Sequence, residues 1–473
     1  MAQNGQRSVS VATLGLYFVD LPGILWPVEV PETRYALSGD LHIAYQAVGS
    51  GPRDILFPTR AYESVDLIWD DPLAAMGLRR LATMGRLITC DLRGWGSSDS
   101  VDLEAMPVLQ AWMDDVGAVI DEVGSERPVI VASGEVGLVG ILLAATHPDR
   151  VSALVLINSF ARFLRGPDQP WAIAPDVAER YLRAFREGTG RGPIAEALGP
   201  SRASEPGFRR WFTKGERLGG GPRTNATIYR VFQASDVTGA LASVRAPTLV
   251  LHRTGDRHVR GGHAQLLAER IPNAELVELP GDDHLWYAGD VGELFDQIET
   301  FLTGVRADVR GGRVLTTILF TDIVGSTELA AKLGDRAWTE LLGGHDELVA
   351  RQVEGFRGRL VKTSGDGTLA TFDGPARAIH CAAGIRDGVR SLGLSVRAGL
   401  HTGEIEARGD DVAGLAVHIG ARIAGLAEAD QILVSSSVPP LVAGSGIRFR
   451  EHGRHAFKGV PEEWDVAMVE SGA

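Results

Sequence analysis

The sequence predicts two α/β units in tandem. The first is a doubly wound, mainly parallel α/β domain with a helical cap, and the second is an α+β domain of ferredoxin-like order. Three observations predict this. The chain has 473 residues, and at roughly 100–200 residues per domain that is too long for one core. The apolar runs Asp54–Pro58, Arg86–Cys90, Pro128–Ala132, Ala153–Asn158 and Thr248–His252 lack the period-2 alternation of a half-exposed strand. They suit strands covered on both faces by helices. Thr303–Arg313 (TGVRADVRGGR) is rich in Gly and Arg and nearly free of apolar residues, which marks a linker.

In chain order, residues 1–34 read as an N-terminal extension. Ser8–Val30 is fairly apolar, but Asp20, Pro22, Pro27 and Glu29 interrupt it, so it suits neither a signal peptide nor a transmembrane span. A short helix packed on the body is the favoured reading, and contact with a lipid surface is the alternative. Residues 35–302 carry the strand pattern of the first domain. Between Phe160 and Val244 that pattern gives way to helical pieces rich in Arg, Gly and Pro, such as Arg162–Pro170 and Leu218–Pro222, which read as an inserted cap at about 160–244. After the linker at 303–313, residues 314–473 read as strand Val314–Asp322, a helical region, two strands around Gly365-Asp366-Gly367, helix Pro375–Val389, strand Ser395–His401 and helix Val412–Leu426. That is the order of a ferredoxin-like fold with additions.

Composition narrows the function. The 60 acidic and 47 basic residues give a formal charge of -13, which repels phosphate backbones and argues against a general nucleic-acid surface. The two cysteines, Cys90 and Cys381, are too far apart in sequence to suggest a disulfide framework or a zinc site, and they fit a reducing cytoplasm. Lysine occurs only at Lys214, Lys332, Lys362 and Lys458, so each lysine calls for an explanation.

In the second domain, Leu319–Thr327 (LFTDIVGST) places Asp322 at a strand end, with Gly325, Ser326 and Thr327 opening a helix. Free N–H groups there would face a phosphate beside a carboxylate able to hold a cation. Val361–Phe372 (VKTSGDGTLATF) is a hairpin signal that would also bring Asp366 toward Asp322, and two carboxylates are the minimum for two hard divalent ions. In Asp411–Arg422 (DVAGLAVHIGAR), His418 and Arg422 are four apart on one helical face. Read singly, these are ordinary caps, turns and solvated charges.

Together with Phe457-Lys458-Gly459, these pieces resemble the catalytic domain of class III nucleotide cyclases, the adenylyl and guanylyl cyclase family, over about Val314 to Val469. The resemblance implies a homodimer with shared active sites, ATP as substrate, and two divalent cations, Mg²⁺ or Mn²⁺. It implies Asp322, Asp366 and the Ile323 carbonyl as metal ligands, with Lys362 and Asp411 of the other subunit selecting adenine. It also implies Arg422 on the reacting phosphate and Lys458 on the terminal phosphates. Two of the four lysines therefore fall at family positions. Guanine reverses the donor pattern of adenine, and polar readout of this kind discriminates by up to roughly 10⁴–10⁵. The implied product is 3′,5′-cyclic AMP. One departure stands out: His418 occupies the position of the family's usual asparagine, and a neutral imidazole still has one N–H to donate.

In the first domain, Cys90–Asp99 (CDLRGWGSSD) and Ala144–Val151 (AATHPDRV) resemble the α/β-hydrolase fold over roughly Tyr35–Leu302. Asp256 and His284 match the family's acid and base by order. The elbow Val131–Gly137 (VASGEVG) places Gly134 at the serine position, or Glu135 in an alternative frame, with Ser133 one residue out of register. The expectation is a hydrolase-like domain without hydrolysis, whose pocket binds a small apolar ligand. Rival readings are an esterase with a silent cyclase domain, and a ligand sensor with neither activity.

Overall fold

The computed structural model describes residues 30–304, 313–408, 411–458, 460 and 463–470. All of Ser8–Val30 except Val30, and residues 305–312 of the expected linker, lie outside the described residues.

The first unit opens with a hairpin, β1 (Arg34–Ser38) and β2 (Leu41–Val48), followed by β3 (Asp54–Pro58), α1 (Pro72–Met84) and β4 (Arg86–Cys90). Asp71 caps α1 by accepting from the Leu73 and Ala74 amides, and Pro72 fills the first helical position, where no N–H is needed. The chain continues through α2 (Val108–Glu122), β5 (Val129–Ser133), α3 (Gly137–Thr146) and β6 (Ala153–Ile157). The cap then follows as α4 (Pro175–Gly188), α5 (Pro193–Leu198), α6 (Pro206–Leu218) and α7 (Gly221–Ala234). The unit closes with β7 (Thr248–Arg253), α8 (Gly261–Arg270), β8 (Ala274–Leu279) and α9 (Val291–Gly304). Its sheet order is β1-β2-β4-β3-β5-β6-β7-β8, antiparallel through β1, β2 and β4 and parallel from there on. Strands β5, β6 and β7 are buried along their whole length, as apolar runs without alternation require.

The second unit comprises β9 (Arg313–Ile323), α10 (Ser326–Leu333), α11 (Asp335–Gly355), β10 (Arg359–Ser364), β11 (Gly367–Phe372) and α12 (Pro375–Val389). It is completed by β12 (Val396–Arg408), β13 (Asp411–Ala413), α13 (Leu415–Leu426), β14 (Ile432–Ser435), β15 (Phe449–Ala456) and β16 (Glu463–Val469). The path across this sheet is β10-β11-β9-β12-β14-β16-β15, with β13 paired to β12. Two sequence boundaries move. Strand β12 runs on to Arg408 because it pairs with β9 from Val396↔Ile323 to Glu406↔Arg313. Asp411 does not directly precede a helix: Asp411–Ala413 pairs with Glu406–Arg408, and α13 starts at Leu415.

The two units touch. Leu315 of β9 belongs to the first unit's hydrophobic core. Arg377 of α12 pairs with Asp373 and reaches Asp114 of α2, and Arg245 Nη2 lies 3.1 Å from Glu404 Oε1.

Candidate active site

Strand β5 ends at Ser133 and turns through Gly134–Val136 into α3. Gly134 has φ +55°, the left-handed backbone of a tight strand-to-helix elbow. A Cβ at Gly134 would lie 3.0 Å from His284 Nε2 and 3.0 Å from Arg60 Cζ. His284 Nδ1 meets Asp256 Oδ2 at 2.8 Å, with both side chains 1% exposed, and Asp256 is itself held by the His258 and Val259 amides. Arg60, just after β3, occupies the space in front of the histidine. Its Nη2 is 3.2 Å from His284 Nε2 and 2.6 Å from Glu135 Oε2, and its Nε is 3.1 Å from Glu135 Oε1.

Electrostatics follow the geometry. Burial, then Arg60, pushes the His284 imidazole well below its usual range, so it stays neutral. Burial raises the Asp256 carboxyl to about 6 against the pull of its amide donors and of His258. Burial also opposes the charge on Arg60, but Glu135, Tyr62 and Glu63 together outweigh it and the guanidinium remains protonated. Arg60, Tyr62, Phe163, Asn225 and Tyr229 line a cavity of about 30 Å³ under the cap, room for one or two water-sized groups. The Ser133 hydroxyl is buried with no hydrogen-bond partner among the described residues.

In the second unit, Asp322 lies at the C-terminal end of β9, and the β9–β11 register sets it opposite Gly367, next to Asp366 in the turn. The Ile323 amide donates to the Asp366 carbonyl at 3.2 Å, which ties the two acidic positions together. The Asp322 carboxylate accepts from Arg397 Nε at 2.9 Å. Gly325, at φ +69°, caps α10, and Ser326 and Thr327 open it. Lys362 is exposed on edge strand β10 and pairs across to Leu369, level with Phe320 rather than Asp322. His418 and Arg422 are exposed on α13, while Ile419 and Ile423, which follow them one position on, are buried. Lys458 is exposed after β15, and the Asp411 side chain lies outside the described residues. Among the described residues, no hydrogen bond or ion pair joins Asp322 or Asp366 to Lys362, His418 or Arg422. None of the described residues forms a group of three or more His, Cys, Asp or Glu able to hold a metal ion.

A family model described as "Alpha/beta hydrolase family" matches residues 47–297, and one described as "Adenylate and Guanylate cyclase catalytic domain" matches residues 314–469. The chain belongs to the alpha/beta hydrolase family and carries a nucleotide cyclase catalytic domain behind it. A pimeloyl-[acyl-carrier protein] methyl ester esterase of Nitrosomonas europaea is 27% identical over 251 residues, covering 52% of this chain and 92% of that esterase. A Rhizobium meliloti protein described as "Putative adenylate cyclase 3" is 29% identical over 157 residues, covering 31% of this chain and 27% of that protein. A solved structure of an esterase from Exiguobacterium antarcticum overlays with a TM-score of 0.51 at 16% identity, covering 58% of this chain and all of that one, a likeness of fold.

Two residues of these domains escape a reading of the sequence. Arg60 fills the hydrolase-like elbow and Arg397 holds the Asp322 carboxylate of the cyclase domain. Each meets its partner only through the fold, 224 and 75 residues apart in sequence.

Proposed function

We propose that the chain is an adenylyl cyclase that converts ATP to 3′,5′-cyclic AMP and pyrophosphate at a site shared by two copies. In this reading the hydrolase-like domain has lost hydrolysis and regulates the cyclase domain, and the boundary between them falls at 303–313. The supporting observation is the register that sets Asp322 beside Asp366 at one end of the cyclase sheet. Two carboxylates and a backbone carbonyl are hard oxygen donors, a set that suits Mg²⁺ or Mn²⁺ when phosphate oxygens complete the shell. Asp322, Asp366 and the Ile323 carbonyl would hold the two cations, which supply Lewis-acid stabilisation of the phosphoryl oxygens.

The remaining roles belong to the chain's own side chains. Lys362 donates to adenine N1 and Asp411 accepts from the exocyclic amine. Arg422 offsets charge on the α-phosphate, Lys458 binds the terminal phosphates, and His418 donates one hydrogen bond to the reacting group. That no hydrogen bond or ion pair joins Lys362, His418 or Arg422 to the aspartates among the described residues supports a site completed by a second copy. So do the exposed apolar residues Val324, Leu360 and Leu415, at 39%, 37% and 47%, each close in sequence to a site residue.

For the hydrolase-like domain, the support is a glycine where a nucleophile would stand and an arginine bound to the histidine that would activate it. The test is cyclic AMP formation by the purified chain from ATP, with GTP and Asp366→Ala as controls, in Mg²⁺ or Mn²⁺. Product from ATP that disappears in Asp366→Ala is the expected result. Absence of product from a folded dimer would shift the weight to a nucleotide-binding sensor.

A further inference from the structure

Helix α3 has its two ends in two different sites. Its N-terminus grows out of the elbow turn, where Glu135 holds buried Arg60. Near its C-terminus, Leu142 and Thr146 line a cavity of about 20 Å³ whose far wall includes Leu315, Thr316 and Thr317 of β9. Between these ends the helix is buried from Gly137 through Ala145. It lies flush on the sheet, since a Cβ at Gly137 would come 2.5 Å from Ser159 Oγ and one at Gly140 would come 3.2 Å from Leu154 Cδ1. Ten residues span about 15 Å, and close packing passes a push along such a helix instead of absorbing it.

Strand β9 continues the path. Leu315 is 4% exposed within the hydrolase-like core, and eight positions later the same strand ends at Ile323, next to Asp322. Neighbours β11 and β12 pair with it on both sides, so a displacement at Leu315 moves along the strand. The ion pairs of Arg377 with Asp114 and of Arg245 with Glu404 clamp the units beside this joint.

We propose that α3 is a strut that couples the buried Arg60–Glu135 pair to the placement of Asp322, so that the state of the pair sets the cyclase rate. This rests on the regulatory reading of the hydrolase-like domain given above. The input is available on the Arg60 side. Arg60 lines the cavity under the cap, and its Nη1 has no hydrogen-bond partner among the described residues. An acceptor oxygen entering that cavity would compete with Glu135 for the guanidinium. Coupling of this kind is a free energy shared by two sites, and a double-mutant cycle measures it.

The test uses the full chain and amide hydrogen exchange. Glu135→Gln removes one charge of the pair, and Arg60→Lys keeps the charge but loses the two-pronged contact. In both, exchange over Thr316–Thr321 of β9 is expected to accelerate about fivefold while β14, two strands away, keeps its rate. The kcat for ATP is expected to fall several-fold with KM held. Leu142→Ala slackens the joint and should abolish the effect of Glu135→Gln on β9. Unchanged β9 exchange in either folded variant, equal acceleration of β9 and β14, or an effect that survives Leu142→Ala would each overturn the strut. If Glu135→Gln fails to fold, Arg60→Lys decides alone. A chain that makes no cyclic AMP at all sinks the adenylyl cyclase reading, while the exchange data still decide the coupling.

Discussion

Arg60 Nη2 lies 3.2 Å from His284 Nε2, where the hydroxyl of a serine nucleophile would donate in a working hydrolase. A guanidinium has only donors, so Nε2 must be the accepting nitrogen and the imidazole proton sits on Nδ1, toward Asp256 at 2.8 Å. Asp256 and His284 therefore hold the tautomer that the proposed acid–base pair would need, and Arg60 is the hydrogen-bond donor to Nε2. Glu135 balances the charge this brings into the interior, because a lone buried guanidinium would cost several kcal/mol.

Restoring a serine at the elbow alone should restore nothing. In Gly134→Ser the new Cβ meets Arg60 Cζ and His284 Nε2 at 3.0 Å each, so the hydroxyl has no room to bond to the histidine. Combined with Arg60→Gly and Glu135→Gln, which clear the space and remove the orphaned charge, the serine can reach Nε2. Turnover of p-nitrophenyl acetate about 10²-fold above background is expected in the triple variant, lost again on adding His284→Ala. Esterase activity in the single variant, or in the unaltered chain, would show that Arg60 does not block the elbow.

The contrast between these residues and the rest of the chain shows what a sequence carries. Strands β3 and β4 coincide with their apolar runs residue for residue, because burial on both faces leaves a continuous apolar stretch. Strand β5 begins one residue later than its run, because Pro128 has no N–H for the ladder. Asp322 and Asp366 were legible from a strand end and a Gly-Asp-Gly turn, features whose chemistry is local. Arg60 and Arg397 were not. Only four of the 47 basic residues are lysine, so one more arginine carries no signal, and the partners of these two arrive through long-range contacts. The same composition made Lys362 and Lys458 conspicuous.

A shared active site predicts complementation. Asp322→Ala removes a metal position and Lys362→Ala a purine contact, and each homodimer should be inactive. In a mixed dimer one of the two sites keeps all its parts. With random exchange of equal amounts, half the dimers are mixed and each has one intact site, so activity should return to about one quarter of the unaltered chain. The measurement is cyclic AMP formation after co-refolding or co-expression, with mixed dimers verified by two affinity tags. Verified mixed dimers without activity would place all these residues in one chain's site and remove the reason for dimerisation.

His418 is exposed on the fourth residue of α13, one turn before Arg422. A neutral imidazole is bulkier than the amide the family uses and has one N–H where the amide has two, and a misplaced donor to a transition state costs about 10²–10³ in rate. Partial alignment would forfeit part of that range, so His418→Asn is expected to raise kcat about tenfold with the KM for ATP unchanged. That split marks an interaction made in the transition state alone. A change in KM without a change in kcat would instead assign His418 to ground-state binding.

Glu63 gives the hydrolase-like domain a pH-dependent stability whose sign is fixed by its surroundings. The side chain is fully buried, with Oε2 accepting from Trp286 Nε1 at 3.3 Å and Oε1 without a partner among the described residues. Burial pushes its carboxyl up from 4.5 to about 7, against the opposing pull of Arg60. In the unfolded chain the proton leaves near 4.5, so between 4.5 and 7 the folded state binds more protons than the unfolded one. Its contribution to stability is therefore present at low pH and is lost as pH rises through that window. Glu63→Gln keeps the shape with nothing to ionise. Its Tm relative to the unaltered chain should rise by about 5 °C between pH 4.5 and pH 8 and level off above pH 7. Calorimetry of both chains across that range decides the matter, and a difference that stays constant or shrinks as pH rises would mean that Glu63 is already ionised in the folded protein at low pH, held by Arg60.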